Sequence, residues 1–172
     1  MRPRREAMVS VPSPHRLIEM FETIAELEGR VRTLAARRLT TEDGRLIKVA
    51  HLACVAAAAT GDPEIYYGVN RGFHEAICRA SRNAFLGEQA LILHKRLSAY
   101  RRVQLRARNR LGQTLAEHDG ILEAIRQGNE EPAAKRLRDH VLVQGERFSD
   151  MMLNFAAATP FGAYFAGWRH AR

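Results

Sequence analysis

The sequence predicts an all-α fold, an antiparallel bundle of six to seven helices, and three observations predict it. Apolar residues recur at helical spacing along most of the chain, and the alternation typical of strands is nearly absent. Prolines, glycines and capping residues interrupt this pattern at intervals that suit helices joined by short turns. The 172 residues, 46% hydrophobic and 27% charged, are enough for one domain with its own core.

The first three helices are predicted over about 14–39, 42–59 and 63–79. An apolar stripe at helical spacing defines the first of them. Residues 40–44 interrupt it and offer side chains that can cap the second helix. Residues 60–63 then end the second helix at a glycine and open the third with an aspartate and a proline.

The later periodic segments predict three more helices, over about 84–108, 111–127 and 131–157. No internal repeat or long linker divides the chain. We therefore expect one all-helical domain over 14–158, preceded by a segment at 1–13 that reads as the end of a wing or a linker. A tail at 159–172, rich in aromatic residues and glycine, follows the domain.

Composition argues against several classes of protein. The net charge of +8 comes with dispersed arginines and only 7% aromatic residues, which is more typical of solvated helix surfaces than of a nucleic-acid platform. The longest apolar run, 52–59, is far shorter than the roughly 20 residues of a membrane span. The N-terminus lacks the apolar core of a secretory signal, and the two cysteines lack CxxC spacing. We expect a cytoplasmic protein without a membrane partner.

Three histidines and an asparagine form the candidate site. Asn70 and His74 are four residues apart, so one helix face presents both. His118 and His140 lie at equal distances from a predicted turn at 128–129, so an antiparallel helix pair returns them to the same level. Each histidine shares a face with apolar residues, and a single inward histidine is usually only a hydrogen-bonded core residue. Three that converge favour a metal or a small ligand.

The donor set favours a divalent ion, zinc or nickel first. Neutral imidazoles bind such ions, and three of them leave coordination positions open for water or substrate. Asn70 adds a carbonyl oxygen without a charge, which should weaken the metal and favour an anionic ligand. Cys78, one turn beyond His74, can face the same cavity, either as packing or as a soft ligand.

Arg101 and Arg102 are the candidate carboxylate-binding residues, because guanidinium groups bind carboxylates bidentately. Alternatively, each of the two is an ordinary arginine on the helix surface. The remaining histidines are expected in the core or in solvent, without a role in the site. They are His15, His51, His94 and His170.

Five segments, "FETIAELEGRVRTLAARRLT", "NRGFHEAI", "YRRVQL", "AEHDGILEAIRQGN" and "RLRDHV", follow one another in an order and spacing that carry a family resemblance. The chain resembles the FCD ligand-binding domain of GntR-superfamily transcription regulators, FadR subfamily. The resemblance implies a bundle of six or seven helices that senses a small organic acid, often through a bound metal. It also implies a homodimer whose N-terminal winged helix-turn-helix binds operator DNA.

The resemblance also implies roles for individual residues. Asn70 takes the place of an acidic or amide ligand, and His74, His118 and His140 take the places of the three histidine ligands. An arginine common in the family's first helix is Ile24 here, so the effector's carboxylate would fall to another arginine.

The DNA-binding domain that the family carries does not precede the bundle in this sequence, and the N-terminal segment resembles its last wing strand and linker. We expect a truncated regulator that binds no operator by itself.

Two alternatives to an effector-sensing domain remain open. The first is a metal-dependent hydrolase or lyase, against which no carboxylate is clearly placed as a general base. The second is a metal-free structural dimerisation module, in which the histidines only satisfy the core.

Overall fold

A computed structural model describes residues 12–127, and this part of the chain folds into six α-helices without a strand. The all-α prediction is confirmed. His140, the helix predicted over 131–157 and the tail lie outside the described residues, so they and the domain boundaries stay predictions. The helices are α1 (Pro14–Arg38), α2 (Thr41–Ala59), α3 (Pro63–Ala80), α4 (Ala84–Arg96), α5 (Ser98–Leu105) and α6 (Arg110–Arg126).

Capping side chains set most of the helix starts. Thr40 and Asp43 form a reciprocal capping box at α2, in which the Thr40 hydroxyl accepts from the Asp43 N–H at 3.1 Å. Asp62 caps α3, and its carboxylate accepts from the N–H groups of the first turn. Gly61 precedes it with a φ of +70°, a left-handed conformation that glycine adopts at no steric cost.

The prediction of a single helix over 84–108 is wrong, because the chain forms two helices there. The break lies at Leu97, which is fully buried. No glycine or proline marks it, so the local sequence gives no sign of an interruption. After the break, α5 turns Arg101 into the interior. Burial of Leu97 and Arg101 is a tertiary effect that outweighs local helical propensity.

Helix α1 packs against α3, α4 and α6. The core lies between these helices and α2. One face of α1 carries Ile24, Glu28 and Arg32 at successive helical turns, and all three are buried. Two charged side chains therefore lie in the part of α1 that the other helices surround. The largest fully buried apolar side chains of the core are Leu17, Phe21, Ile24, Ile47, Tyr66, Phe73, Ile77 and Leu97.

Candidate functional site

Three of the four predicted metal ligands lie together. Asn70 and His74 from α3 and His118 from α6 are buried and line one cavity, called here the central cavity. The ring centroids of His74 and His118 are 5.9 Å apart. The fourth, His140, lies outside the described residues, so its position stays a prediction. The other polar residues that line the cavity are Arg32, Tyr67, Arg101, Gln104, Arg110 and Thr114.

Packing fixes the orientation of the two histidines. The ring of His118 stacks on Phe73 with centroids 4.0 Å apart and an interplanar angle of 24°. Phe73 meets His74 edge-on at 5.9 Å. Since Phe73 is fully buried, both imidazoles pack against an aromatic ring of the core.

A buried ion cluster adjoins the central cavity and centres on Glu28, which is only 5% exposed. Its Oε1 lies 3.5 Å from His74 Nδ1, 3.3 Å from Arg101 Nη1 and 3.8 Å from His94 Nε2. Its Oε2 accepts a hydrogen bond from Arg32 Nη2 at 3.1 Å. We call these five residues the Glu28 cluster.

Glu28 is ionised and the two histidines of the cluster are neutral at pH 7. Burial alone would raise the pKa of the Glu28 carboxyl, but the facing His74, Arg101, Arg32 and His94 groups lower it well below its usual value. Burial lowers the pKa of His74 far below its usual value, and burial together with Arg101 lowers the pKa of His94 to about 3. The cluster therefore holds one negative charge and two positive charges.

The excess charge resides on the guanidinium groups. Burial lowers the pKa of Arg32 to about 10, so this side chain stays protonated at neutral pH. Its Nη1 is buried and has no hydrogen-bond partner among residues 12–127. The same holds for Asn70 Oδ1 on the other wall of the central cavity. Buried polar groups are nearly always paired, so both atoms mark places where a bound group would find a partner.

Asn70, His74 and His118, the three predicted ligands within the described residues, are arranged in a way that suits a divalent metal. Two imidazoles on one tetrahedral zinc ion place their ring centroids about 5 Å apart, given zinc–nitrogen bonds of about 2 Å. The 5.9 Å between the rings of His74 and His118 is close to that value. The unpartnered Asn70 Oδ1 supplies an oxygen donor. Glu28 lies on the Nδ1 side of His74, as expected of a carboxylate that orients a metal-bound histidine.

A second donor group exists within the Glu28 cluster. Ligand atoms of Glu28, His74 and His94 all lie within 4.8 Å of one another, a spacing that a divalent ion can bridge. Arg32 and Arg101 bind the same carboxylate, however, and their two charges disfavour a cation at this point. The Asn70, His74 and His118 set is the better candidate, because Asn70 Oδ1 has no partner among residues 12–127 whereas the Glu28 carboxylate already binds two guanidinium groups.

The two predicted anion-binding residues, Arg101 and Arg102, lie in different environments. Arg101 is buried in the Glu28 cluster, whereas Arg102 is half-exposed, pairs with Glu64 at 3.0 Å and covers the Tyr67 ring at 4.6 Å. Cys78 lies on the side of α3 that faces α4. Burial raises the pKa of its thiol to about 12, and Cys78 does not line the central cavity.

The sequence analysis missed Glu28, Arg32 and His94. The available sign was the presence of two charged residues, four apart, within the apolar stripe of the first helix. His51, expected in the core or in solvent, is buried, and its Nε2 lies 2.9 Å from the exposed carboxylate of Asp119. This pair fixes α2 against α6 beside His118.

The comparisons with known proteins agree with this fold. Residues 19–142 match the family described as the FCD domain. Among solved structures, the chain is similar to Streptococcus agalactiae GntR, with a TM-score of 0.67, 20% identity and 81% of this chain covered. At that identity the likeness shows the fold alone. The match spans 63% of that protein's length. No curated protein sequence matches the chain. Within residues 12–127, no helix is long and apolar enough to cross a membrane.

Proposed function

Because this chain belongs to the FCD domain family, the effector-binding domains of GntR-type regulators, we propose that it senses a small organic acid. The observation that carries the proposal is the central cavity, where buried metal-binding side chains and a net positive ion cluster meet. A carboxylate entering this cavity gains both a metal ligand position and a counter-charge. An uncharged molecule gains no counter-charge, so the cavity would favour anions.

His74, His118 and Asn70 would hold a zinc or nickel ion, with His140 as the fourth ligand. The ion would supply open coordination positions for the oxygen atoms of the effector. The protein's own part is to orient the ligands. Glu28 Oε1 lies 3.5 Å from His74 Nδ1 and would orient that ring, and the buried Phe73 ring stacks on His118.

The site is well placed to signal through helix positions. It joins α1, α3, α5 and α6, and α1 contacts three other helices of the bundle. Effector binding would favour one arrangement of these helices over another, a shift between two populations. In a cytoplasmic homodimer, that shift would reposition the winged helix-turn-helix domains that bind operator DNA.

The proposed role is regulatory and not enzymatic. A metal-dependent hydrolase would need a general base whose pKa is near neutral. Glu28 is the carboxylate that faces His74, and His74 together with Arg101 and Arg32 holds its pKa well below its usual value, too low for that task.

Metal content tests the proposed site. The full 172-residue chain, purified without an affinity tag and incubated with zinc or nickel, is analysed by elemental mass spectrometry as wild type, His118→Ala and His15→Ala. His15 is an exposed histidine of α1 and serves as the matched control. We expect near-stoichiometric metal in the wild type and the control and its loss in His118→Ala. No metal in any protein, or equal metal in all three, would contradict the proposal.

A further inference from the structure

The Glu28 cluster contains more positive than negative charge. Two buried guanidinium groups share one carboxylate, since Arg32 Nη2 binds Oε2 and Arg101 Nη1 binds Oε1. A buried charge without a partner is costly, by several kcal/mol for an ion removed from water. A binding site for an anion explains why the cost is tolerated.

We assign the excess positive charge to Arg32. It is 2% exposed, it lines the central cavity, and its Nη1 has no hydrogen-bond partner in the described part of the chain. The other arginines of the cavity wall differ from it. Arg110 is neutralised by Glu117 through two hydrogen bonds of 2.9 and 3.2 Å. Arg101 is held by Glu28 at 3.3 Å, as Arg32 is at 3.1 Å, but none of its nitrogen atoms is buried without a partner among residues 12–127.

We propose that Arg32 is the carboxylate-binding residue of the central cavity, so that the effector is an organic anion whose carboxylate accepts a hydrogen bond from Arg32 Nη1. This inference rests on the proposed function and adds a residue and a ligand class to it. Glu28 holds the other terminal nitrogen of Arg32 and so fixes the direction of the guanidinium plane. The carboxylate of the anion would balance the second guanidinium group of the Glu28 cluster.

Succinate and acetate are suitable probes, because each presents a carboxylate and neither binds metals strongly. Affinity is measured by isothermal titration calorimetry and thermal shift, with sodium chloride at matched ionic strength as the reference. Four proteins are compared: wild type, Arg32→Lys, Arg32→Met and Arg102→Met. The last is the matched control, since it removes an arginine that is paired with Glu64 outside the central cavity.

We expect the wild type and Arg102→Met to bind succinate equally. Arg32→Met should lose about 10- to 100-fold in affinity, the range for a hydrogen bond to a charged group. Arg32→Lys should fall between them, because lysine keeps the charge but lacks the planar fork. Circular dichroism checks the fold of each variant. If Arg32→Met does not fold, the affinity of Arg32→Lys decides.

Two results would overturn the inference, and they differ in what else they affect. If the wild type binds succinate and both Arg32 variants bind it as tightly, Arg32 is not the anion-binding residue, and the proposed function stands. If the wild type binds neither probe while Arg32→Met loses stability, a carboxylate of the chain itself balances Arg32. That second result would also contradict an organic acid as the effector.

Discussion

Replacement of Glu28 by glutamine should destabilise the protein strongly. The substitution keeps the shape of the side chain and removes its charge. Two buried guanidinium groups, Arg32 at 3.1 Å and Arg101 at 3.3 Å, then lose their shared counter-ion. Removal of one partner from a buried ion pair costs about 3–5 kcal/mol in the free energy of unfolding, because the remaining charge stays out of water. We expect Glu28→Gln to fall in that range or above it.

Urea unfolding followed by circular dichroism measures this loss, with Glu19→Gln as the matched control. Glu19 lies on the same helix and pairs with Arg16, but it is exposed, so its replacement should change little. The double variant Glu28→Gln/Arg32→Met should recover part of the loss, since it removes a charge of each sign. A Glu28→Gln variant within about 1 kcal/mol of wild type would refute the description of this cluster as a buried, charge-coupled unit.

Two further predictions concern pH and the metal. Because burial lowers the pKa values of His74 and His94 in the folded state, the unfolded chain takes up more protons below about pH 6.5, and stability should decrease by about 1.4 kcal/mol per pH unit and histidine. Glu28, whose folded pKa is also lowered, adds to the loss only below about pH 4.5. Urea unfolding midpoints measured from pH 7.5 to 5.0 test this loss of stability. His94→Gln should halve the slope of stability against pH, and a wild-type stability that does not change with pH would contradict the prediction. Replacement of Asn70 by aspartate should tighten zinc binding by about tenfold or more, because it adds a negative charge beside the ion. A competition titration with a chromophoric chelator measures the change, and unaltered affinity would argue against Asn70 as a ligand.

Local sequence patterns predicted the helices well and the site in part. Capping residues such as Thr40 and Asp62 act within one turn, so the starts of α2 and α3 follow from the sequence alone. Helical periodicity placed Asn70, His74 and His118 on inward faces, and all three are buried. These features depend on spacing along a single helix.

The features that the sequence did not predict depend on contacts between helices. Glu28 joins side chains from α1, α3, α4 and α5, and no pattern within α1 reveals those partners. His94 is inconspicuous in the sequence, yet the bundle places it in the Glu28 cluster. The break at Leu97 has the same origin, because burial of that side chain outweighs a local sequence that favours a continuous helix.

The most direct test of the central claim is the zinc K-edge X-ray absorption spectrum of the zinc-loaded protein. The account predicts a first shell of nitrogen and oxygen atoms at about 2.0–2.1 Å with the multiple scattering of imidazole rings, reduced in His118→Ala and preserved in His94→Gln. A sulfur shell at about 2.3 Å, as Cys78 would give, would contradict it. So would a spectrum that changes in His94→Gln but not in His118→Ala, because the ion would then lie within the Glu28 cluster and not in the central cavity.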